Sequence, residues 1–193
     1  MVILISMGFN TLTGGSAPDA SKVPPLFGPQ EMSFAAKISL MFLIFTLGFD
    51  GIGEELGWRG FALPKLKESY SSLVSSIILG VLWAFWHFPF ALTEGTFLNN
   101  VPLAVFVMNL VALAIVYTWI FNNTRGSLLL PLLYHAAGNI TGNLLPFLPP
   151  AAADLRLYFF NVFFNWIIAL TIVVATRGSL HVRGKQETGV VIP

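Results

Sequence analysis

Gly53-Glu54-Glu55-Leu56-Gly57-Trp58-Arg59-Gly60 lies inside a long apolar stretch, Phe34 to Leu63, and its reading decides the fold. Two adjacent carboxylates and a guanidinium are costly among hydrocarbon. Ionisable side chains there are rare and face a bundle interior, a partner or a water-filled cavity. Residues four apart share a helical face, whereas immediate neighbours do not. Glu55 and Arg59 are therefore natural partners, with the acid on the favourable N-terminal side. Glu54 points about 100° away and is left without that cation. The asymmetry predicts a structural Glu55–Arg59 ion pair and a Glu54 free to act as a general base. Gly53, Gly57 and Gly60 thin the helix, so that neighbouring helices can approach closely.

Two further greasy segments carry polar residues. His87 lies in Leu82-Trp83-Ala84-Phe85-Trp86-His87-Phe88-Pro89, where Trp83 and His87 share a face and Pro89 disturbs the helix. His135 lies in Leu132-Leu133-Tyr134-His135-Ala136-Ala137-Gly138-Asn139. His135 and Asn139 project from one face, Asn143 continues it, and Gly138 and Gly142 flank it. Taken singly, each is as readily a packing histidine or an interhelical hydrogen bond. Their conjunction with the Glu pair points to one buried polar site assembled from three helices.

Composition places that site in a membrane protein. Of 193 residues 55% are hydrophobic and only 10% charged, with a mean hydropathy of +0.77; soluble domains carry about 25% charged residues. The net charge of +1 comes without a basic cluster dense enough for nucleic acid. With no cysteine, disulfides, thiolate ligands and a Cys nucleophile are excluded. The fold class expected is all-α, a polytopic transmembrane bundle of about five membrane helices at 34–63, 72–92, 101–121, 127–146 and 154–176, plus a short interfacial segment. Pro64 should end the first helix. Residues 1–33 form an N-terminal apolar stub, Met1 to Phe9, and a Pro/Gly-rich loop. The stub is either the remnant of an earlier helix of a longer gene or an interfacial segment. Residues 34–176 form the core, and 177–193 a polar tail. With that tail in the cytoplasm, Arg177, Arg183, Lys185, Arg125, Lys65 and Lys67 fall inside, against Lys22, Lys37 and Arg156 outside. The count agrees with the positive-inside rule.

Glu54, His87, His135 and Asn139 can surround a water molecule. The carboxylate takes its proton, and a His or the Asn donates to the oxyanion of a peptide carbonyl. Glu54, His87 and His135 equally suit a catalytic zinc ion with an open fourth position, although no His-Glu-x-x-His helix is present. One geometric difficulty arises. Counted from the expected helix ends, His87 lies deeper than Glu54 and His135. The three meet if Lys65 to Ser76 is partly an amphipathic surface segment.

Glu54-Glu55-x-x-x-Arg59, then Trp83-x-x-x-His87, then His135-x-x-x-Asn139, resembles the motif set of the CPBP intramembrane protease family. That family includes CAAX prenyl endopeptidases of the Rce1 type and bacteriocin-processing or immunity proteins. The resemblance implies that Glu54 activates water with help from His87, that His135 and Asn139 form the oxyanion hole, and that Glu55 and Arg59 support them, without a cofactor. Trp83 stands where the family usually has Phe, and family members carry more helices ahead of the Glu pair. The implied function is an intramembrane endopeptidase acting on a membrane-associated protein or peptide, with the lipid bilayer as its other partner. Two classes compete: a non-catalytic bacteriocin-immunity or scaffold protein, and a transporter or proton relay using Asp50, Glu54 and the histidines. The hydropathy shows no inverted repeat to favour the last.

Overall fold

A computed structural model of the chain describes residues 1–15, 32–94, 96–144 and 155–182. Among these there is helix and no strand. The helices are α1 (Val2–Leu12), α2 (Phe34–Leu47), α3 (Leu63–Lys67), α4 (Ser72–Trp86), α5 (Phe88–Ala91), α6 (Leu103–Asn123), α7 (Leu129–Leu144) and α8 (Arg156–Thr176). Two wide π-helical turns, Phe49–Gly53 and Leu56–Ala62, join α2 to α3. The helical path Ala35–Lys67, α6 and α8 are each long and apolar enough to cross a membrane, and α1 and α4 are shorter apolar helices. The chain is an integral membrane protein. Each of the five expected segments contains helix among its described residues.

The bundle is built around α6. It packs against α4 on one side and α8 on another, α1 packs on α8, and α2 packs on α7. The α4–α6 contact is backbone to backbone at Gly80, where a Cβ would meet Val111 Cα at 2.6 Å. Around it Leu79, Ala84, Leu110, Ala112 and Ala114 are buried. A second seam, between α6 and α8, is polar: Asn165 donates to Asn109 at 2.9 Å and to Asn161 at 3.0 Å, all three buried. Amides paired across helices hold such interfaces where lipid leaves little hydrophobic drive between them. Leu43, Ile44, Leu47, Phe163 and Leu170 stand exposed on the outer faces, as lipid-facing residues would.

Two boundaries differ from those expected. Pro64 does not end the first helix, which continues to Lys67. The Leu63 N–H reaches back five residues to the Trp58 carbonyl. The ladder is thus already changing register where proline's missing donor falls. The second segment breaks at His87, with Pro89 at the start of the short α5. Between α3 and α4, Lys65, Glu68, Ser69, Tyr70 and Ser71 are exposed while Ser75 and Ser76 are fully buried, and Ser71 caps α4, accepting from the Val74 N–H.

The chain beyond α8 is pinned to α6. Arg177 and Gly178 turn through left-handed backbone, and Leu180 is fully buried, joining the apolar cluster of Val111, Ala112, Ile115 and Ala169. Asn123 donates to the Leu180 carbonyl at 3.1 Å and accepts from the Val182 N–H at 2.7 Å. Lys67 donates to Asn122 at 2.6 Å, and Asn122 in turn reaches the Leu180 carbonyl. The ends of the first long helix, α6 and α8 are thereby tied together. Most of the Pro/Gly-rich loop, the tail from Arg183, and the side chains of Asp50 and Asn143 lie outside the described residues.

Candidate active site

Glu54 and Glu55 sit between the two π-helical turns. Such turns are rare and recur at functional sites, because one extra residue per turn re-aims the side chains that follow. Glycine makes the first turn possible: a Cβ at Gly51 would collide with the carbonyls of Phe45 and Thr46.

Both carboxylates are buried, and they are partnered unequally. Glu55 Oε1 accepts from Arg59 Nη1 at 2.9 Å and from His135 Nδ1 at 2.8 Å. A carboxylate only accepts, so His135 carries its proton on Nδ1. Arg59 is fully buried, and its Nε and Nη2 make no hydrogen bond. Its guanidinium lies instead over two aromatic faces, 4.5 Å from the Trp83 centroid and 4.1 Å from that of Tyr117. Glu54 has no cation. Its Oε2 accepts from Trp83 Nε1 at 2.5 Å, and its Oε1 makes no bond to any described residue.

Trp83 therefore serves both acids, giving its N–H to Glu54 and its ring to the cation held by Glu55. Its ring also lies 5.6 Å from that of His135 and 6.1 Å from that of His87. His87, half-buried, directs Nδ1 at the Trp83 carbonyl at 2.8 Å and packs on Phe106 at 5.7 Å. The carbonyl fixes the proton on Nδ1 and leaves the Nε2 lone pair open in the neutral ring. Asn139 lies one turn beyond His135 on α7, half-buried.

The structure thus gathers Glu54, Glu55, Arg59 and His135 around Trp83, with His87 at the edge. The expected Glu55–Arg59 pair is present, and Glu55 also holds His135. Among the described residues no three His, Asp or Glu side chains stand close enough to share a metal ion. Two contributors escaped the sequence reading. Trp83 is a hydrogen-bond donor and not only an aromatic wall. Tyr117 is the second face over Arg59; its one signal was a phenol in the middle of an otherwise apolar run, Leu110 to Ile120, interrupted also by Thr118.

Residues 36–141, more than half of the 193, match the family model described as Type II CAAX prenyl endopeptidase Rce1-like. The chain belongs to the Rce1-like family. The matched span contains Glu54, Glu55, Arg59, Trp83, His87, Tyr117, His135 and Asn139. The Rce1-like chain is also similar to a CAAX prenyl protease 2 of Methanococcus maripaludis, 29% identical over 118 residues. That match covers 58% of this chain and 44% of the relative, so the chain spans under half the length of the curated relative it matches.

Proposed function

We propose that this chain carries the catalytic core of an intramembrane endopeptidase that cleaves a membrane-associated protein or peptide with a water activated by Glu54. The observation that carries the proposal is the unequal partnering of two adjacent buried carboxylates. Glu55 is neutralised by Arg59 and committed to His135. Among the described residues Glu54 is held by one neutral N–H donor and keeps an oxygen open. A carboxylate tied into an ion pair is a poor base; one oriented by a single N–H can take a proton.

In the proposed reaction Glu54 Oε1 takes a proton from water as the water oxygen attacks the scissile carbonyl carbon. The carbonyl oxygen becomes an oxyanion. Asn139 donates to it, as does His135 Nε2 when that ring holds its second proton. His87 Nε2, with its lone pair free, orients the same water. The tetrahedral intermediate collapses, the C–N bond breaks, and the leaving nitrogen receives the proton from Glu54. In this reading no step is routed through a metal ion: Glu54 itself takes the proton of the water. The name of the relative suggests a prenylated CAAX-type tail as the substrate. We further propose that 34–176 is the protease core and that the tail from Arg177 faces the cytoplasm.

The test is cleavage of a prenylated CAAX peptide in detergent or liposomes by wild type, Glu54→Gln and Asn139→Ala, each with and without a zinc chelator. Cleavage that survives chelation, vanishes in Glu54→Gln and drops roughly 10²–10³-fold in Asn139→Ala is expected. Full activity of Glu54→Gln, or loss of wild-type activity on chelation with recovery on adding zinc, would sink the proposal.

A further inference from the structure

Arg59 is a buried cation with only one hydrogen-bonded nitrogen. In a low-dielectric interior two unmet guanidinium nitrogens are costly. The compensation visible is the pair of ring faces on either side, Trp83 and Tyr117. Trp83 has other ties, to Glu54 and to His87. Tyr117 has none: its hydroxyl makes no described hydrogen bond, and its remaining partners are the rings of Trp83, Tyr134 and His135. It projects from α6, a different helix from those carrying Arg59, Trp83 and His135.

We propose that Tyr117 is a positioning residue of the site: its ring face clamps the Arg59 guanidinium against Trp83, and through Arg59 and Glu55 sets the direction of the His135 imidazole. The chain of contact is continuous. Tyr117 covers Arg59, Arg59 Nη1 fixes Glu55 Oε1, and that same oxygen receives the His135 Nδ1 proton. With the Tyr117 face removed, the guanidinium has a void on one side and unmet N–H groups beside it. It swings to find partners and carries Glu55 Oε1 away from His135. Desolvated cation–π contacts are strong enough to hold such a geometry, and the operative group is the ring, not the hydroxyl. The effect on turnover rests on the endopeptidase reading above; the effect on His135 does not.

The experiment compares wild type, Tyr117→Phe and Tyr117→Leu, with Tyr117→Met as a flexible apolar filler should the Leu variant not fold. The chain has only three histidines, so 15N-histidine labelling in detergent gives three imidazole signals. The signals of the exposed His181 and of His135 are assigned by their loss in His181→Gln and His135→Gln. Expected is a slowly exchanging Nδ1 proton on His135 in wild type and Tyr117→Phe, lost in Tyr117→Leu, with the other histidines unchanged. In the cleavage assay, kcat falls roughly ten- to a hundredfold in Tyr117→Leu with KM within twofold, and Tyr117→Phe restores it. A Leu or Met variant that keeps the protected His135 proton overturns the proposal whatever its activity. So does a Phe variant as damaged as Leu, which would make the hydroxyl the operative group. If wild type cleaves nothing, the endopeptidase reading falls and the His135 signal alone decides the role of Tyr117.

Discussion

Gly80→Ala tests how tightly the site depends on one helix contact. A Cβ built at Gly80 meets Val111 Cα at 2.6 Å, Val111 N at 3.0 Å and Ala114 Cβ at 3.1 Å. The nearest obstacles are backbone atoms, so no rotamer change relieves them. Ordinary contact begins near 3.4 Å, so α4 and α6 must part by about 0.8 Å, the difference between 3.4 and 2.6 Å. Overpacking of this kind costs about 1–3 kcal/mol, while replacing glycine in a helix returns roughly 0.5–1 kcal/mol. A net loss of about 1–2 kcal/mol lowers the melting temperature of a chain this size by roughly 2–8 °C. Trp83 lies less than one turn from Gly80 on α4. A displacement of that size along its 2.5 Å hydrogen bond to Glu54 stretches it to the edge of hydrogen-bonding range. Misplacement near 1 Å costs on the order of 10²-fold in rate. The matched control is Gly8→Ala in α1, where a Cβ meets nothing within 4 Å; it should melt at or above wild type. Thermal unfolding followed by circular dichroism, beside peptide cleavage, reads both effects. A Gly80→Ala protein that melts and cleaves like the Gly8→Ala control would refute the close-approach argument.

Further expectations concern the charges and the tail. Glu55→Gln leaves the buried Arg59 without its counter-charge and should destabilise by about 3–5 kcal/mol, read as a melting shift far larger than that of Glu54→Gln. Trp83→Phe keeps a ring beside Arg59 but removes the N–H from Glu54. It should lower kcat with little change in melting temperature, and equal loss of both would contradict the division of labour assigned to Trp83. Asn123→Ala removes the donor to the Leu180 carbonyl and the acceptor of the Val182 N–H. At roughly 1 kcal/mol per hydrogen bond, it should expose residues after Thr176 to limited proteolysis while leaving the α4–α6 contact intact.

The helical bundle was legible in the sequence because charge-free segments of spanning length have few alternatives in lipid. The Glu55–Arg59 pair was legible too, since i,i+4 geometry is a local property. What lay beyond the sequence was the third partner of each polar group. His135 is 80 residues from Glu55, and Trp83 is 29 from Glu54; nothing local in either stretch says which acid takes which donor. A carboxylate with one strong cation looked satisfied, yet a single Glu55 oxygen serves both Arg59 and His135. The ring of Tyr117 was similarly silent, because an aromatic residue on a buried helix is ordinarily read as packing.

The depth problem in the sequence reading has a physical resolution in the turn between the first long helix and α4. Helix α3 runs on to Lys67, and α4 begins at Ser72. Counted from those ends, Glu54 lies 13 residues in, Trp83 lies 11 and His87 lies 15. At about 1.5 Å per residue, Trp83 and His87 bracket the level expected for Glu54 in a regular helix. The stretch from Leu56 to Ala62 is not regular. A π turn takes up more residues for its length, so Glu54 sits shallower than 13 residues of α-helix would place it. That brings its carboxylate level with Trp83 and leaves His87 a turn beyond, where its imidazole turns back to the Trp83 carbonyl. The wide turn therefore sets which residue of α4 meets the acid. Shifting the turn by one residue would exchange the two acids between the indole N–H and the Arg59 guanidinium. Deleting Gly57, which shortens the wide turn by one residue, should accordingly abolish cleavage even if the protein folds. A folded deletion variant that still cleaves would show that Glu54 reaches its level by tilt of the whole helix instead.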